Sequence, residues 1–542
     1  MSYPCGRSNE YELSRASTHS SDERDDSSPY DDEDADRDDF QTHLLTGQSV
    51  SSVVKPPISS HFIALAPAWL RKQHLLQRPR AGSKRLPRRY GCTPRSLLRT
   101  FVLLSYIFFT SIAAIVIVGG IFFPGYTHLP PHYQALRERA LASQEPGRVN
   151  IHNQKVFIAA SIYDKGGKLL SGNWAQNVLD LIELLGSQNA FLSIYVNDSG
   201  PEAKEALKAL EQRVPCEHAL VFQDHLNIDN LPHIHIHGQD RVKRIEYLAE
   251  VRNRALAPLD AANTTFDKLL YLNDVFFHPV EAAQLLFSTH TVADEVTEYR
   301  AACAVDFINP FKFYDTFATR DAEGYSMGLP FYPWFAAGGD ETSHNDVLEG
   351  KDAVRVRSCW GGMVAFDARF FQKRPGEYEL ITAGNQGPSN FSAPYRFRAE
   401  KDQYWDASEC CLIQADIQSP EPRNSGIYMN PFVRVAYDST TLSWLTFTRR
   451  FERLYTPVHW LIDVSTSKPK FNPRRHEEPW QQVEETVWVP DESQPNNGSF
   501  HQVTRTASHA GFCGRRGLAL IKENVTEGER NWELVPVPSG AL

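Results

Sequence analysis

Residues 268–274 read KLLYLND, and the chain runs straight on into VFFHP. The first five make a short, mostly apolar strand, which Asn273 and Asp274 cut off before the apolar residues resume. A carboxylate at that point has two readings. Either Asp274 is a turn residue capping the next helix, or it sits at the mouth of a sheet and holds a cation. The kind of sheet the strand enters decides between them.

The segments upstream repeat one pattern. KVFIAASIY (155–163), FLSIYVND (191–198) and ALVFQD (219–224) are apolar runs of strand length. Between the first two, GNWAQNVLDLIELLG (172–186) sets Trp174, Val178, Leu181, Ile182 and Leu185 on one helical face and stops at Gly186. PEAKEALKALEQR (201–213) opens on a proline suited to a first helical turn. RVKRIEYLAEVRNRAL (241–256) reads as a helix with Val242, Ile245, Leu248, Ala249 and Val251 or Arg252 near its inner face. Continuously apolar strands alternating with helices predict an α/β fold, a mostly parallel sheet flanked by helices. Ligands of such sheets bind at the carboxyl ends of the strands, where two of these strands carry Asn-Asp.

The N-terminal region is of another kind. Between Asp22 and Asp39 stand eleven Asp or Glu with two Arg and almost nothing apolar, a composition that cannot bury a core. From Arg71 to Arg99 there are ten Lys or Arg and no acid, so the net charge of −10 conceals a bipolar arm. Residues 100–123, TFVLLSYIFFTSIAAIVIVGGIFF, then run 24 positions without a charge. At about 1.5 Å per residue this crosses a hydrocarbon core of roughly 30 Å. The run is too long and too far along the chain for a cleaved signal peptide. Basic residues before it stay cytoplasmic, which predicts a type II anchor with a lumenal body in the Golgi or another secretory-pathway membrane.

The expected divisions are a disordered arm over 1–95, an anchor over 96–123, a stem over 124–150, a catalytic domain over 151–460 and a C-terminal extension over 461–542. Sequons at Asn197, Asn263, Asn390, Asn497 and Asn524, and six of the eight cysteines, all come after the span, in keeping with glycosylation and disulfides in an oxidising compartment. The pairing of those cysteines is not readable from the sequence.

Several chemistries are excluded by motif. No glycine-rich phosphate loop, GxSxG elbow or HExxH is present. In HIHIH (233–237) the three His share one strand face but step apart by nearly 7 Å, too widely for one ion. No nucleic-acid partner is expected, and the oligomeric state is not legible.

A lumenal α/β body on a single anchor suits transfer from a nucleotide sugar, which needs a divalent cation on the leaving diphosphate and a cleft joining donor to acceptor. Mn²⁺ or Mg²⁺ takes carboxylate oxygens, phosphates and water, and Asp274 is the right type in the right place. Transferases of the GT-A fold carry Asp-x-Asp at such a point, whereas Leu272 occupies the first Asp position here.

The ordered blocks RIEYLAEVRN (244–253), LLYLNDVFF (269–277), ACAVDF (302–307), YDTFATRDAEG (314–324), SCWGGMVAFDA (358–368) and SECCLIQADI (408–417) resemble the fungal α-1,3-mannosyltransferase family related to cryptococcal capsule-associated proteins, across roughly 153–440. The resemblance implies a GT-A-like domain that transfers mannose from GDP-mannose to a glycan acceptor with retention and with Mn²⁺, for a capsule or cell-wall polysaccharide. With Asp274 as metal ligand, Arg252, Asn253 and Arg244 suit the diphosphate or base. Trp360, Gly361 and Gly362 offer a flat face for a sugar and an approachable backbone. Glu409 is the candidate carboxylate for the acceptor hydroxyl or the oxocarbenium-like charge, with Asp306 at the donor sugar and Asp416 second to Glu409. Asp315, Arg320 and Asp321 are read mainly as a salt-bridged loop. A late His, from His459, His476, His501 and His509, is a candidate further ligand. The competing readings are transfer of another sugar, such as xylose from UDP-xylose, and a non-catalytic glycan-binding or assembly factor.

Overall fold

A computed structural model describes Pro94 to Val537, except residues 237, 293–294, 339–340, 374–392, 420–423, 467–471, 492–493 and 523–530. The acidic arm and most of the basic run therefore lie outside the described residues. The chain divides into two units, one of residues 34–118 and one of residues 119–542 with 1–33. Helix α1, Pro94–Phe122, begins in the first, and its stretch Leu97–Phe122 is long and apolar enough to cross a membrane.

The larger unit is built on ten strands: β1 Val156–Ile162, β2 Ala190–Asn197, β3 Glu217–Gln223, β4 Lys268–Leu272, β5 Ala301–Asn309, β6 Lys312–Phe313, β7 Arg320–Asp321, β8 Val354–Ser358, β9 Met363–Asp367 and β10 Ile427–Ala436. Their order is β3-β2-β1-β4-β9-β5-β10-β8-β7, with β6 on β5. Seven run the same way, and β6, β8 and β9 are reversed. The expected mostly parallel sheet is present, and it is mixed, with β9 threaded antiparallel between β4 and β5 so that Met363 faces Leu272 and Val364 faces Cys303.

The helices are α2 Pro131–Ala142, α3 Asn173–Leu185, α4 Pro201–Glu211, α5 Arg244–Leu256, α6 Pro279–Ser288, α7 Thr342–Glu349, α8 Glu409–Ile417, α9 Ser439–Thr448 and α10 Thr456–Thr466. Alternation along β4 divides the two cores. Leu269 and Tyr271 join α5 and α8 on one face, while Leu270 and Leu272 join α3 and α6 on the other. All five residues of β4 are buried, which is why the strand reads as one apolar run.

Three differences from the sequence reading have local causes. The predicted helix over 241–256 starts only at Arg244, because Gln239–Val242 pairs antiparallel with His233–Ile236. The stem is part of the body: α2 buries Tyr133 and Leu136, and Asn430 Nδ2 donates to Tyr133 Oη at 2.7 Å. The C-terminal extension is likewise stitched in, since Gly514–Arg516 pairs with Trp405–Ala407 and Cys513 is disulfide-bonded to Cys411 on α8. Among the sequons, Asn263 is exposed but Asn197 is buried, its amide donating to Tyr247 and Asp198.

The second disulfide, Cys303–Cys359, fastens β5 to the start of the Trp360-Gly361-Gly362 turn. That turn requires glycine. Gly361 and Gly362 have φ of +57° and +64°, and a Cβ on Gly361 would collide with the Ala304 carbonyl oxygen. Gly361→Ala should lower stability by at least about 1–3 kcal/mol of backbone strain, read as a reduced denaturation midpoint of the full chain in detergent. An unchanged midpoint would show that the turn relaxes freely.

Candidate active site

The sheet edge where β4, β5 and β10 end, and where β9 begins, gathers the chemistry. Asn273 comes directly after β4, and its N–H donates to the Gly362 carbonyl at 2.9 Å. The chain then crosses towards β10, with Phe276 and Ala436 exchanging backbone hydrogen bonds of 2.7 and 3.1 Å. Asp274 is held between these fixed points and is partly exposed. It is not the cap of the next helix, because α6 begins at Pro279 with His278 at the cap position.

Behind this edge lies a buried polar knot. Arg252, on the inner face of α5, donates from Nε to Glu409 Oε1 at 2.8 Å and from Nη1 to Asn273 Oδ1 at 3.1 Å. Its guanidinium lies 4.4 Å from the Trp360 ring centre, with Tyr271 and Phe397 on its other sides. Trp360 Nε1 also donates to Asn273 Oδ1, at 3.2 Å. The Arg252 and Glu409 side chains are 3% and 0% exposed, so their charges are compensated within the protein. A planar fork that binds two acceptors and stacks on an indole is specific to Arg.

Glu409 is the first residue of α8, after the capping Ser408 whose hydroxyl accepts from the Cys410 N–H. A carboxylate there also benefits from the helix dipole. Its second oxygen, Oε2, is buried and accepts no hydrogen bond among the described residues.

A second group of acids adjoins Asp274. Asp306, fully buried on β5, accepts from the Asp315 N–H at 3.1 Å and from the Tyr437 hydroxyl at 3.0 Å. Asp315 accepts from the backbone N–H groups of Ala318 and Gly361. Burial, and then electrostatic repulsion from Asp306, Tyr314, Asp274 and Asp315, push the Tyr437 hydroxyl well above its ordinary pKa. Three carboxylates thus act on one point of the edge. Among the described residues no three His, Cys, Asp or Glu side chains are close enough to hold a metal ion by themselves. One carboxylate at this edge nonetheless fits Mn²⁺ or Mg²⁺, which complete their shells with diphosphate oxygens and water.

The structure redistributes the other predicted residues. Asn253 gives both polar atoms to the backbone of Phe397, at 2.9 Å each, and so fixes the ring that packs on Arg252. Arg244 stands at the opposite end of α5 with its guanidinium over Trp532. The indole of Trp360 is buried, and its face carries Arg252 in place of an open sugar platform. Asp416 is clasped by Arg398 at 2.9 Å and by His509 at 2.6 Å; burial pushes its pKa up, but these two outweigh it and hold the carboxyl below the usual range.

The remaining late His have other partners: Asp463 for His459, Arg475 for His476 and Ser499 for His501. His233 and His235 bond to the Leu231 carbonyl and Asp240, and His237 lies outside the described residues. Arg320 donates to the carbonyls of Phe317, Thr319, Phe512 and Cys513. Sequence reasoning missed Asn273 as the junction of the knot and Tyr437 as its neighbour. Each is a polar residue directly after an apolar strand, the only signal available.

Residues 155–416 match the family described as "Cryptococcal mannosyltransferase 1". Over this region, just under half of the chain, the sequence is similar to that family. The match takes in β1 to β9 and nearly all of α8, and so includes every member of the Arg252 knot. Among solved structures the chain is similar to "Mannosyltransferase PcManGT from Pyrobaculum calidifontis in complex with GDP-Man and Mn2+", at 11% identity over 67% of this chain and 87% of that one, with a TM-score of 0.28. No individually curated protein matches the sequence.

Two outcomes are expected from the geometry. Arg252→Met leaves the Glu409 charge buried without its partner and should cost about 3–5 kcal/mol, much of it recovered in Arg252→Met/Glu409→Gln; denaturant unfolding of the three chains checks this. Burial also pushes the Asp321 carboxyl up to about 7, against the lowering effect of the N–H groups of Tyr325 and Glu323. A folded pKa above the unfolded one means that the folded state keeps the extra proton, so this residue's contribution is present at acid pH and is lost as pH rises from about 4 through 7. Asp321→Asn retains the acceptor for both N–H groups and should flatten that fall in a thermal unfolding series against pH.

Proposed function

We propose that this chain is a type II membrane glycosyltransferase that moves mannose from GDP-mannose to a glycan acceptor, with retention and an α-1,3 linkage, on the lumenal side of the Golgi or another secretory-pathway membrane. The observation that carries the reading is the partly exposed Asp274 at the strand edge, braced by the buried Arg252–Glu409–Asn273–Trp360 knot, within a region similar to a mannosyltransferase family. The membrane-length α1, whose uncharged run over 100–123 follows ten basic residues between Arg71 and Arg99, and two disulfides in the body support the topology.

In this reading Asp274 meets the divalent cation at the donor diphosphate. When bound, that ion neutralises the charge of the departing diphosphate. Asn273 fixes the backbone at Asp274 through its bonds to Arg252, Trp360 and Gly362. Arg252 and Asn253 act as positioning residues. So does Asp306, which sets Tyr437 and the 314–315 turn beside Asp274. Glu409, buried behind the edge, acts through Arg252, which it holds by Oε1, and is a positioning residue as well.

The test is mannose transfer or hydrolysis by the full chain in detergent, with GDP-mannose and Mn²⁺, against the same reaction in EDTA. Asp274→Ala should lower turnover by about 100-fold or more with its unfolding midpoint unchanged. Absence of both turnover and metal-dependent GDP binding in the parent chain would abandon the enzyme reading. A loss of folding in Asp274→Ala would give the carboxylate a structural role instead.

A further inference from the structure

Directly beyond the site edge lies a surface that the transfer reaction does not use. Asp438, the residue after Tyr437, caps α9 by accepting from the Thr441 N–H at 2.7 Å. The chain then runs through α9, a tight turn over Arg449–Tyr455 and α10. Along this stretch Trp444, Phe447, Val458, Trp460, Leu461 and Val464 are exposed, Trp460 by 59% and Val464 by 64%.

Helix α10 is amphipathic in the inverted sense. Its inward residues are His459 and Asp463, one turn apart and paired at 3.0 Å, while Val458, Trp460, Leu461 and Val464 face outward, with Ser465 and Thr466 at its end. A helix facing water places these classes the other way round. An outward apolar patch of this kind marks a surface that something apolar covers.

The chain itself indicates what that is. The last turn of α1 and the residues after it are fastened to the turn between α9 and α10. Arg450 Nη1 donates to the Gly120 carbonyl at 3.2 Å, the Gly125 N–H to the Arg450 carbonyl at 3.4 Å, the Tyr126 N–H to Glu452 Oε1 at 3.3 Å, and Arg449 Nη1 to the Tyr126 carbonyl at 3.4 Å. Gly119 and Gly120 lie so close to Leu454 and Phe451 that a Cβ on either would collide. The segment bearing the patch is therefore held where the apolar span ends, at the level of the lipid headgroups, where Trp and other aromatic side chains partition.

We propose that α9 and α10 form a monotopic lipid-facing surface, with Trp444, Phe447, Trp460 and Leu461 seated in the outer part of the same bilayer that α1 crosses. This rests on the reading of α1 as a membrane span. The surface holds the body against the membrane with the Tyr437 edge next to it, which suits an acceptor presented at the bilayer.

The full chain carrying photoreactive benzoylphenylalanine in place of Trp444, Trp460, Ile115 or Lys208 is reconstituted into phosphatidylcholine vesicles and irradiated. Lipid adducts are expected at 444 and 460 as well as at 115, and none at Lys208, which is exposed on α4. Adducts at 115 with none at 444 and 460, or crosslinks at 444 and 460 to a second protein copy, overturn the proposal while leaving the span intact. Adducts at 444 and 460 without any at 115 overturn the span and leave the surface. Absence at all three positions removes both.

Discussion

The ion pair between Arg252 and Glu409 is the contact on which the rest of the site depends. Burying two charges is costly, and it is tolerated only where geometry and further hydrogen bonds compensate. Here Arg252 spends Nε on Glu409, Nη1 on Asn273 and its flat face on Trp360. Three elements far apart in sequence, α5, the end of β4 and the start of α8, are thereby locked to one guanidinium. The partly exposed carboxylate of Asp274 comes one residue after that lock, so its backbone position is set through Asn273.

The two disulfides and the C-terminal strands reinforce the same knot. Cys303–Cys359 holds the turn that carries Trp360, and Cys411–Cys513 holds the helix that carries Glu409. Lys243 Nζ, one residue before α5, donates to the carbonyls of Glu400, Asp402 and Trp405 and fixes the approach to α8. An extension that reads as an appendix is thus structural, and a stem that reads as a spacer buries Tyr133 in the body. The fastening of residues 119–126 to 449–454 joins the end of the long apolar helix to the segment that leaves the site edge.

Asp274 stood out because a carboxylate interrupting an apolar strand is visible in a short window. Asp306 stood out for the same reason and Glu409 through the matched block 408–417, and the structure turned both inward. Asn253 lay in a matched block, but its amide serves the Phe397 backbone, a partner 144 residues away that no local pattern announces.

The sequence by itself determined the long apolar helix, the βα alternation and the strand ends that bear polar residues, because these depend on hydrophobic periodicity and composition within short windows. Only the tertiary structure decided that β9 threads antiparallel between β4 and β5, which cysteines pair, and which charges meet at Arg252. Those outcomes depend on contacts between residues tens to hundreds of positions apart, whose packing and desolvation are set once the sheet has closed around them.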